Sequence, residues 1–264
     1  MTVRRHALIT GGSSGIGLET ARLLADRGAI VSLVARRTDV LDRAAAELRD
    51  AGATVLTASA DVADQVALTA AIRGLEQQAG PVDVLVTSAG QARPGHFLEL
   101  EDEVFRQMIE VDYFGTLYAI RAVAPGMVER GGGSIVAVSS GAGLLGVFGY
   151  TAYGPAKFAV RGLMEALRSE LKPYDVHVAC VYPPDVDTPQ LEDENRYKPA
   201  ETAAISGTVK PMQPEAVARS IVEAIDKRRF AVYPDGGMAL LGGLGPLLAP
   251  VVRRMVDRKV RSVR

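Results

Sequence analysis

The chain has 264 residues, which is room for one large domain or two small ones. Thirty basic residues against 31 acidic ones leave a net charge of −1, which argues against a dedicated nucleic-acid binder working by phosphate neutralisation. A single cysteine, Cys180, excludes an internal disulfide framework or a multi-thiolate zinc site, and three scattered histidines, His6, His96 and His177, suggest no metal centre.

In chain order, Ala7–Thr10 predicts a strand and Ile16–Arg27 a helix with Leu18, Ala21, Leu24 and Ala25 on one face. Ile30–Ala35 is the second strand, Val40–Ala51 the second helix and Thr54–Ser59 the third strand. A helix over Val62–Ala79 and a strand over Val82–Thr87 follow. One long helix is expected over Glu101–Arg130, then the strand Ser134–Ser139 and a helix over Tyr153–Pro173. The strand Val176–Tyr182, the helix Pro214–Lys227 and the short strand Phe230–Val232 close the series. Runs of Val, Ile and Leu without clean alternation suit strands buried on both faces of a parallel sheet. Strict alternation of strand and helix therefore predicts an α/β, doubly wound (Rossmann) parallel sheet of about seven strands with helices on both faces.

This pattern makes residues 1–235 one domain, and two segments interrupt it. Residues 185–213 are polar and dotted with proline, as a segment covering a substrate would be. Residues 236–264 join an apolar Gly/Leu/Pro stretch to a basic tail. Gly236–Val252 is seventeen residues without a charge, at the lower edge of a membrane span, but five glycines and two prolines interrupt it. The residues after Met1 offer no secretory apolar core. A cytoplasmic location is expected.

The first strand runs into Thr10-Gly11-Gly12-Ser13-Ser14-Gly15-Ile16-Gly17, and a helix follows. Glycines permit the tight turn and let backbone N–H groups at the helix start face a pyrophosphate. The order strand, loop, helix is the context that gives such a loop meaning; the alternative is a tight turn without a ligand. The second strand ends at Arg36-Arg37, where an acid would hydrogen-bond a ribose 2′-hydroxyl and an arginine would accept a 2′-phosphate. NADP(H) is the cofactor expected, with Ser14 as a further donor; the alternative reads both arginines as solvated loop residues.

Ser140 closes the fifth strand, and Tyr153-Gly154-Pro155-Ala156-Lys157 opens the next helix. Tyr153 and Lys157 stand four residues apart and so share a helix face. An ammonium beside a phenol favours the phenolate, which tunes Tyr153 for proton transfer to a carbonyl or from an alcohol, and Ser140 can hydrogen-bond the same oxygen. Alone, the pair reads as an ordinary helix-surface contact; together with the glycine loop it points to an oxidoreductase.

On these residues the chain resembles the classical short-chain dehydrogenases/reductases over about residues 6–235. The resemblance implies Gly11, Ser13, Ser14, Gly15, Ile16 and Gly17 at the cofactor, Asp61 and Val62 at the adenine, and Ala89 and Gly90 along it. It also implies Thr188 at the nicotinamide amide, Tyr153 as general acid/base, Lys157 on the nicotinamide ribose and Ser140 at the substrate oxygen. The chain departs from the family where a catalytic Asn aligns with Asp112, whose negative charge would oppose ionisation of the tyrosine. A narrower resemblance, to 3-ketodihydrosphingosine reductases, rests on Gly146–Tyr153, Lys157–Leu163, Glu170–Tyr174, Tyr182–Pro189 and Glu194–Thr202. It implies reduction of a long-chain 3-keto-2-amino alcohol by NADPH, with Phe148 and Asp185 as substrate candidates, and a homodimer or homotetramer. Asp185 or Asp187 could pair with the substrate ammonium; the alternative makes one a turn residue and the other a helix cap.

Other readings of the whole stay open. The substrate could be another lipid-like or steroid-like ketone. With Asp112 in place, the chain could instead be a non-catalytic NADP-binding scaffold or sensor. The last twelve residues carry +5 and the remainder −6. Val256, Val260 and Val263 recur there at helical spacing, so the tail reads either as a basic amphipathic helix on the inner membrane surface or as a solvated helix.

Overall fold

The computed structural model describes residues 5–206 and 210–263. Residues 207–209 of the covering segment and Arg264 of the tail lie outside the described residues. Seven strands form one sheet: β1 His6–Thr10, β2 Ile30–Ala35, β3 Val55–Ser59, β4 Val84–Thr87, β5 Gly133–Val138, β6 Val176–Val181 and β7 Ala231–Val232. Every pairing is parallel and the order is β3-β2-β1-β4-β5-β6-β7. The chain first winds from β1 to β3, then returns to place β4 on the other side of β1. That reversal opens a crevice at the carboxyl ends of β1 and β4, where sheets of this kind bind ligands.

The strands alternate strictly once both faces are considered. Ala7 and Ile9 of β1 join a core with α1 Gly15–Asp26, α2 Thr38–Asp50 and α9 Pro214–Lys227. Leu8 between them joins the opposite core, with α3 Gln65–Ala79, α5 Gly115–Arg130 and α6 Tyr153–Leu171. Both faces are apolar, so the sequence shows a continuous run rather than an alternation. Cys180 lies in the second core, and burial pushes its thiol up to about 12.

The long helix expected over Glu101–Arg130 is present as α4 Asp102–Met108, a π-helical segment Ile109–Phe114 and α5. A π segment holds an extra residue per turn and shifts the side chains beyond it, a feature frequent at functional sites. The covering segment contains two short helices, α7 Pro189–Asn195 and α8 Ala200–Ser206. Thr188, not Asp187, caps α7: its Oγ1 accepts the Leu191 N–H at 3.3 Å, with Pro189 at the first helical position. Asp187 is exposed and accepts from Gln213 Nε2 at 3.2 Å. The apolar stretch and the tail form α10, Gly236–Val263, with a sharp bend near Gly245-Pro246. Among the described residues, no single helix is long and apolar enough to cross a membrane.

His6 ties the start of β1 to its surroundings. Its ring lies 2.7 Å from the Gly80 carbonyl through Nδ1 and 2.8 Å from Ser32 Oγ through Nε2, and its backbone N–H donates to Asp83 at 2.8 Å. Burial lowers its pKa below the usual 6.5. The unfolded chain therefore takes up this proton first as pH falls. The stability that neutral His6 contributes is present above about 6.5 and declines below it. In urea unfolding, His6→Gln should flatten the fall in stability between about pH 6.5 and 5; an unchanged slope would remove His6 from the acid response.

Candidate active site

The loop after β1 abuts the loop after β4. Gly11 has φ +69°, and a Cβ there would lie 2.6 Å from the Ala89 backbone nitrogen. Gly17 is packed even more tightly, since a Cβ would stand 2.3 Å from the Gly11 carbonyl oxygen. The turn can therefore close only with glycine, and it leaves the first turn of α1 facing the crevice. Ser14 occupies the N-cap of α1 without making a side-chain cap bond. An anion at this helix start would meet free N–H groups.

A cavity of about 1000 Å³ runs from this loop across the sheet end. Gly11, Ser13, Ser14, Gly15 and Ile16 border it, and so do Arg36, Arg37, Val62, Ala89, Gly90, Ser140, Tyr153, Lys157, Asp185 and Thr188. Thus most of the residues singled out from sequence converge on one space. Five do not border it, Asp187 among them. Gly17 lies beneath the loop, where it allows the Gly11 turn. Asp61 sits 3.7 Å from Arg36 Nη1, where it can orient that guanidinium. Phe148 turns aside to pack edge-on against His96 at 5.7 Å, and its carbonyl accepts from Thr202 Oγ1 at 3.0 Å. Asp112 is fully buried behind the cavity wall.

Asp112 occupies the π segment, and its Oδ1 lies 3.3 Å from Lys157 Nζ. The same oxygen accepts the Gln91 N–H at 3.1 Å, and Lys157 also donates to the Val138 carbonyl at 3.2 Å. Gly90 makes the ion pair sterically possible: a Cβ there would be 2.6 Å from Asp112 Oδ1. Oδ2 is buried without a hydrogen-bond partner among the described residues. Burial pushes the Asp112 carboxyl above its usual range, while Lys157 and the Gln91 N–H pull the other way.

The phenol of Tyr153 corrects the expectation drawn from Lys157. Burial holds it well above 10, the charges of Asp112, Glu194 and Asp185 add to this, and the hydrogen bond with Ser140 lowers it. Lys157 Nζ is 5.5 Å from the Tyr153 ring centre and pairs with Asp112, so its field is balanced there rather than directed at the phenol. A neutral phenol at this place retains a proton to donate.

Sequence reasoning missed a polar cluster on the cavity's other wall. The Tyr150 hydroxyl donates to Glu194 Oε1, and Lys198 Nζ lies 3.1 Å from the same oxygen and 3.4 Å from Asp185 Oδ2. Tyr150, Glu194 and Lys198 are buried or nearly so. Burial raises the Glu194 carboxyl, opposed by Tyr150 and Lys198. All lie within stretches used for the narrower resemblance, but nothing local marks them as neighbours.

A family model described as short chain dehydrogenase matches residues 5–199. The chain belongs to the short-chain dehydrogenase family. This short-chain dehydrogenase is 45% identical over 251 residues to a 3-dehydrosphinganine reductase of Danio rerio, covering 92% of the chain and 76% of that relative. It is 41% identical to a 3-ketodihydrosphingosine reductase of Dictyostelium discoideum, covering 93% of the chain and 79% of the relative. Among solved structures, a variant actinorhodin polyketide ketoreductase with NADPH superposes with TM-score 0.82 at 33% identity, covering 90% of this chain and 97% of that one. A short-chain dehydrogenase from Sphingobium yanoikuyae in complex with NADPH gives TM-score 0.80 at 29% identity, covering 96% and 95%.

Asp112→Asn removes the charge that opposes ionisation of Tyr153. In the alcohol-oxidising direction, the pH–rate limb reporting the phenol should move to lower pH than in the unsubstituted enzyme. A limb that stays in place or moves upward would show that Asp112 does not act on Tyr153.

Proposed function

We propose that this chain is an NADPH-dependent ketone reductase that converts 3-ketodihydrosphingosine to dihydrosphingosine. The observation that carries the reading is 45% identity to the Danio rerio reductase over 92% of the chain. The cavity supports it from the chemistry. Its volume lies at the upper end of the range for ligand sites, about 300–1000 Å³, as a site for a dinucleotide and a substrate requires. The glycine loop fits a pyrophosphate, and Arg36 and Arg37 at the cavity edge fit a 2′-phosphate.

NADPH held by the glycine loop, Arg36 and Arg37 would supply hydride for the carbonyl carbon. The chain's own residues manage the oxygen. Ser140 hydrogen-bonds the carbonyl oxygen and fixes its position beside Tyr153. Tyr153, protonated in its buried setting, donates the phenolic proton as negative charge develops there. Lys157, fixed by Asp112 and Val138, presents its ammonium at the cavity floor to hold a ribose hydroxyl. Leu145, Val147, Leu191, Ile205, Met238 and Leu241 supply an apolar wall for the alkyl chain.

The reading also assigns α10 to a membrane surface. Leu240 and Leu244 before the bend in α10, and Leu247, Val251 and Met255 after it, are exposed at four-residue steps within each arm, with Arg253, Arg254, Arg258 and Arg261 on the second arm. An exposed apolar stripe with adjacent basic side chains suits an anionic bilayer surface.

Incubated with NADPH and a panel of ketones, the protein should oxidise the cofactor with 3-ketodihydrosphingosine. Tyr153→Phe should lower that rate by about 10²–10⁴-fold while NADPH still binds. Turnover of a steroid ketone with none of the sphingoid ketone would overturn the substrate assignment. In vesicle sedimentation, the protein should pellet with phosphatidylserine-containing vesicles and be released by salt, and Leu244→Glu with Leu247→Glu should abolish this. Equal pelleting by the double variant would exclude the α10 stripe.

A further inference from the structure

Deepening the proposed function and resting on it, we infer that Glu194, together with Asp185, forms a subsite that recognises the substrate's 2-ammonium, and that Lys198 fills part of this subsite as an internal cation. The substrate chemistry sets the search. In a 2-amino-3-keto chain the nitrogen sits on the carbon next to the carbonyl, so its partner must lie close to Tyr153. Tyr150 is three residues before Tyr153, and their ring centres are 5.7 Å apart. The Tyr150 hydroxyl leads directly to Glu194, and both residues border the cavity. Asp185 enters from the end of β6 and also borders it.

Other acids near the cavity serve less well. Glu192, Asp193 and Asp235 border it too, but Asp193 pairs with Arg196, and Asp235 accepts the Met238 N–H at 2.8 Å. Glu192 is exposed, on the first turn of α7. Besides Asp112, the carboxylates whose charge is felt by the Tyr153 phenol are those of Glu194 and Asp185. That electrostatic reach supports the distance argument from the side chains.

The charge balance at the cluster points to a cationic guest. Two carboxylates, Glu194 and Asp185, face one ammonium, Lys198. With both carboxylates ionised the cluster is one positive charge short of neutrality; Glu194 is buried, where an unpaired charge is costly, while Asp185 is 38% exposed and keeps contact with water. Lys198 already shows that an ammonium can be seated between these oxygens, at 3.1 and 3.4 Å. A substrate ammonium would complete the balance. The same contacts connect α7 and the chain beyond it to the end of β6, so the guest also meets the segment that covers the cavity.

The test separates this subsite from a merely structural cluster and from failure of the reductase reading. Glu194→Gln keeps an acceptor for Tyr150 and Lys198 but removes the charge. The readout is the ratio of kcat/KM for 3-ketodihydrosphingosine to that for the same ketone lacking the amino group. The wild type should favour the amino ketone, and the variant's ratio should fall about 10- to 100-fold, as expected for a lost charge-assisted hydrogen bond. Asp185→Asn should lower the ratio in the same direction. Equal losses on both ketones, or an unchanged ratio, would overturn the subsite while leaving the reductase reading in place. Reduction of neither ketone by the wild type would overturn the reductase reading and the subsite with it. A measurement without substitution uses inhibition of the wild type: a long-chain primary ammonium should compete with the ketone at least about tenfold better than the alcohol of equal length. Equal inhibition by amine and alcohol would also overturn the subsite.

Discussion

The buried pair between Asp112 and Lys157 is the constraint around which the site is arranged. Two charges removed from water are costly, and losing one partner of such a pair typically costs about 3–5 kcal/mol. The cost is met by geometry. Lys157 is anchored a second time at the Val138 carbonyl, and its own carbonyl accepts from Ser139 Oγ at 2.9 Å. Asp112 is held by the Gln91 N–H and by its place in the π segment. Four separate stretches, the loop after β4 at Gln91, the end of β5, the first turn of α6 and the long helix over 102–130, are thereby locked at one point. Tyr153 is one turn from Lys157, so its position follows from the same lock. The pair also decides the phenol's electrostatics, because the carboxylate that neutralises the ammonium is itself a negative neighbour of Tyr153. The phenol is thus protonated before reaction and has a proton to give as negative charge develops on the carbonyl oxygen.

Much of this architecture was legible in the sequence because its signals are local. The strands are apolar runs, and the bounds expected for Ile30–Ala35 and Pro214–Lys227 coincide with those observed. The glycine loop was legible because backbone constraints act within a few residues: Gly11 needs positive φ, and Gly17 needs the absence of a Cβ. The serine, tyrosine and lysine of the floor were legible from helix spacing and strand ends. The π segment was not, since nothing in Ile109–Phe114 differs from an ordinary amphipathic helix; what it carries, the contact of Asp112 with Lys157, joins residues 45 positions apart. For the same reason the direction of the Tyr153 shift does not follow from the four-residue spacing alone.

The covering segment was the least legible part. Its helices have seven residues each, too short to stand without partners. They are held by contacts that join distant stretches, such as Thr202 to the Phe148 carbonyl and Glu194 to Tyr150. A charge in this segment looks like solvated surface until those partners are known. Glu194 therefore carries no signal of its own, while Asp185 and Asp187 stand out by their place just after β6. Asp187 instead turns to Gln213, and Phe148 is taken up by His96. The cap at Thr188 did have a signal, in the Thr-Pro pair, since proline is favoured at the first helical position.

The near-zero net charge averages over this division of labour. Under the proposed function, negative charge is concentrated where the substrate ammonium would bind, at Asp185 and Glu194, and positive charge where a phosphate or a bilayer would, at Arg36, Arg37 and the tail. The tail is coupled to the cavity rather than appended to it. Met238 and Leu241 of α10 line the cavity, while Leu240 and Leu244 are exposed to solvent. Helical periodicity produces both faces from one stretch, because residues one apart point about 100° away from each other. Further along α10, Lys259 Nζ donates to the Ala204 carbonyl in α8 at 3.1 Å, which fastens the tail to the covering segment. Under the proposed function, a helix that presents one apolar face to the substrate cavity and another outward shortens the path of an alkyl chain from lipid to enzyme. The chain would stay against apolar side chains throughout, and only its ammonium and ketone would need the polar cluster at the inner end.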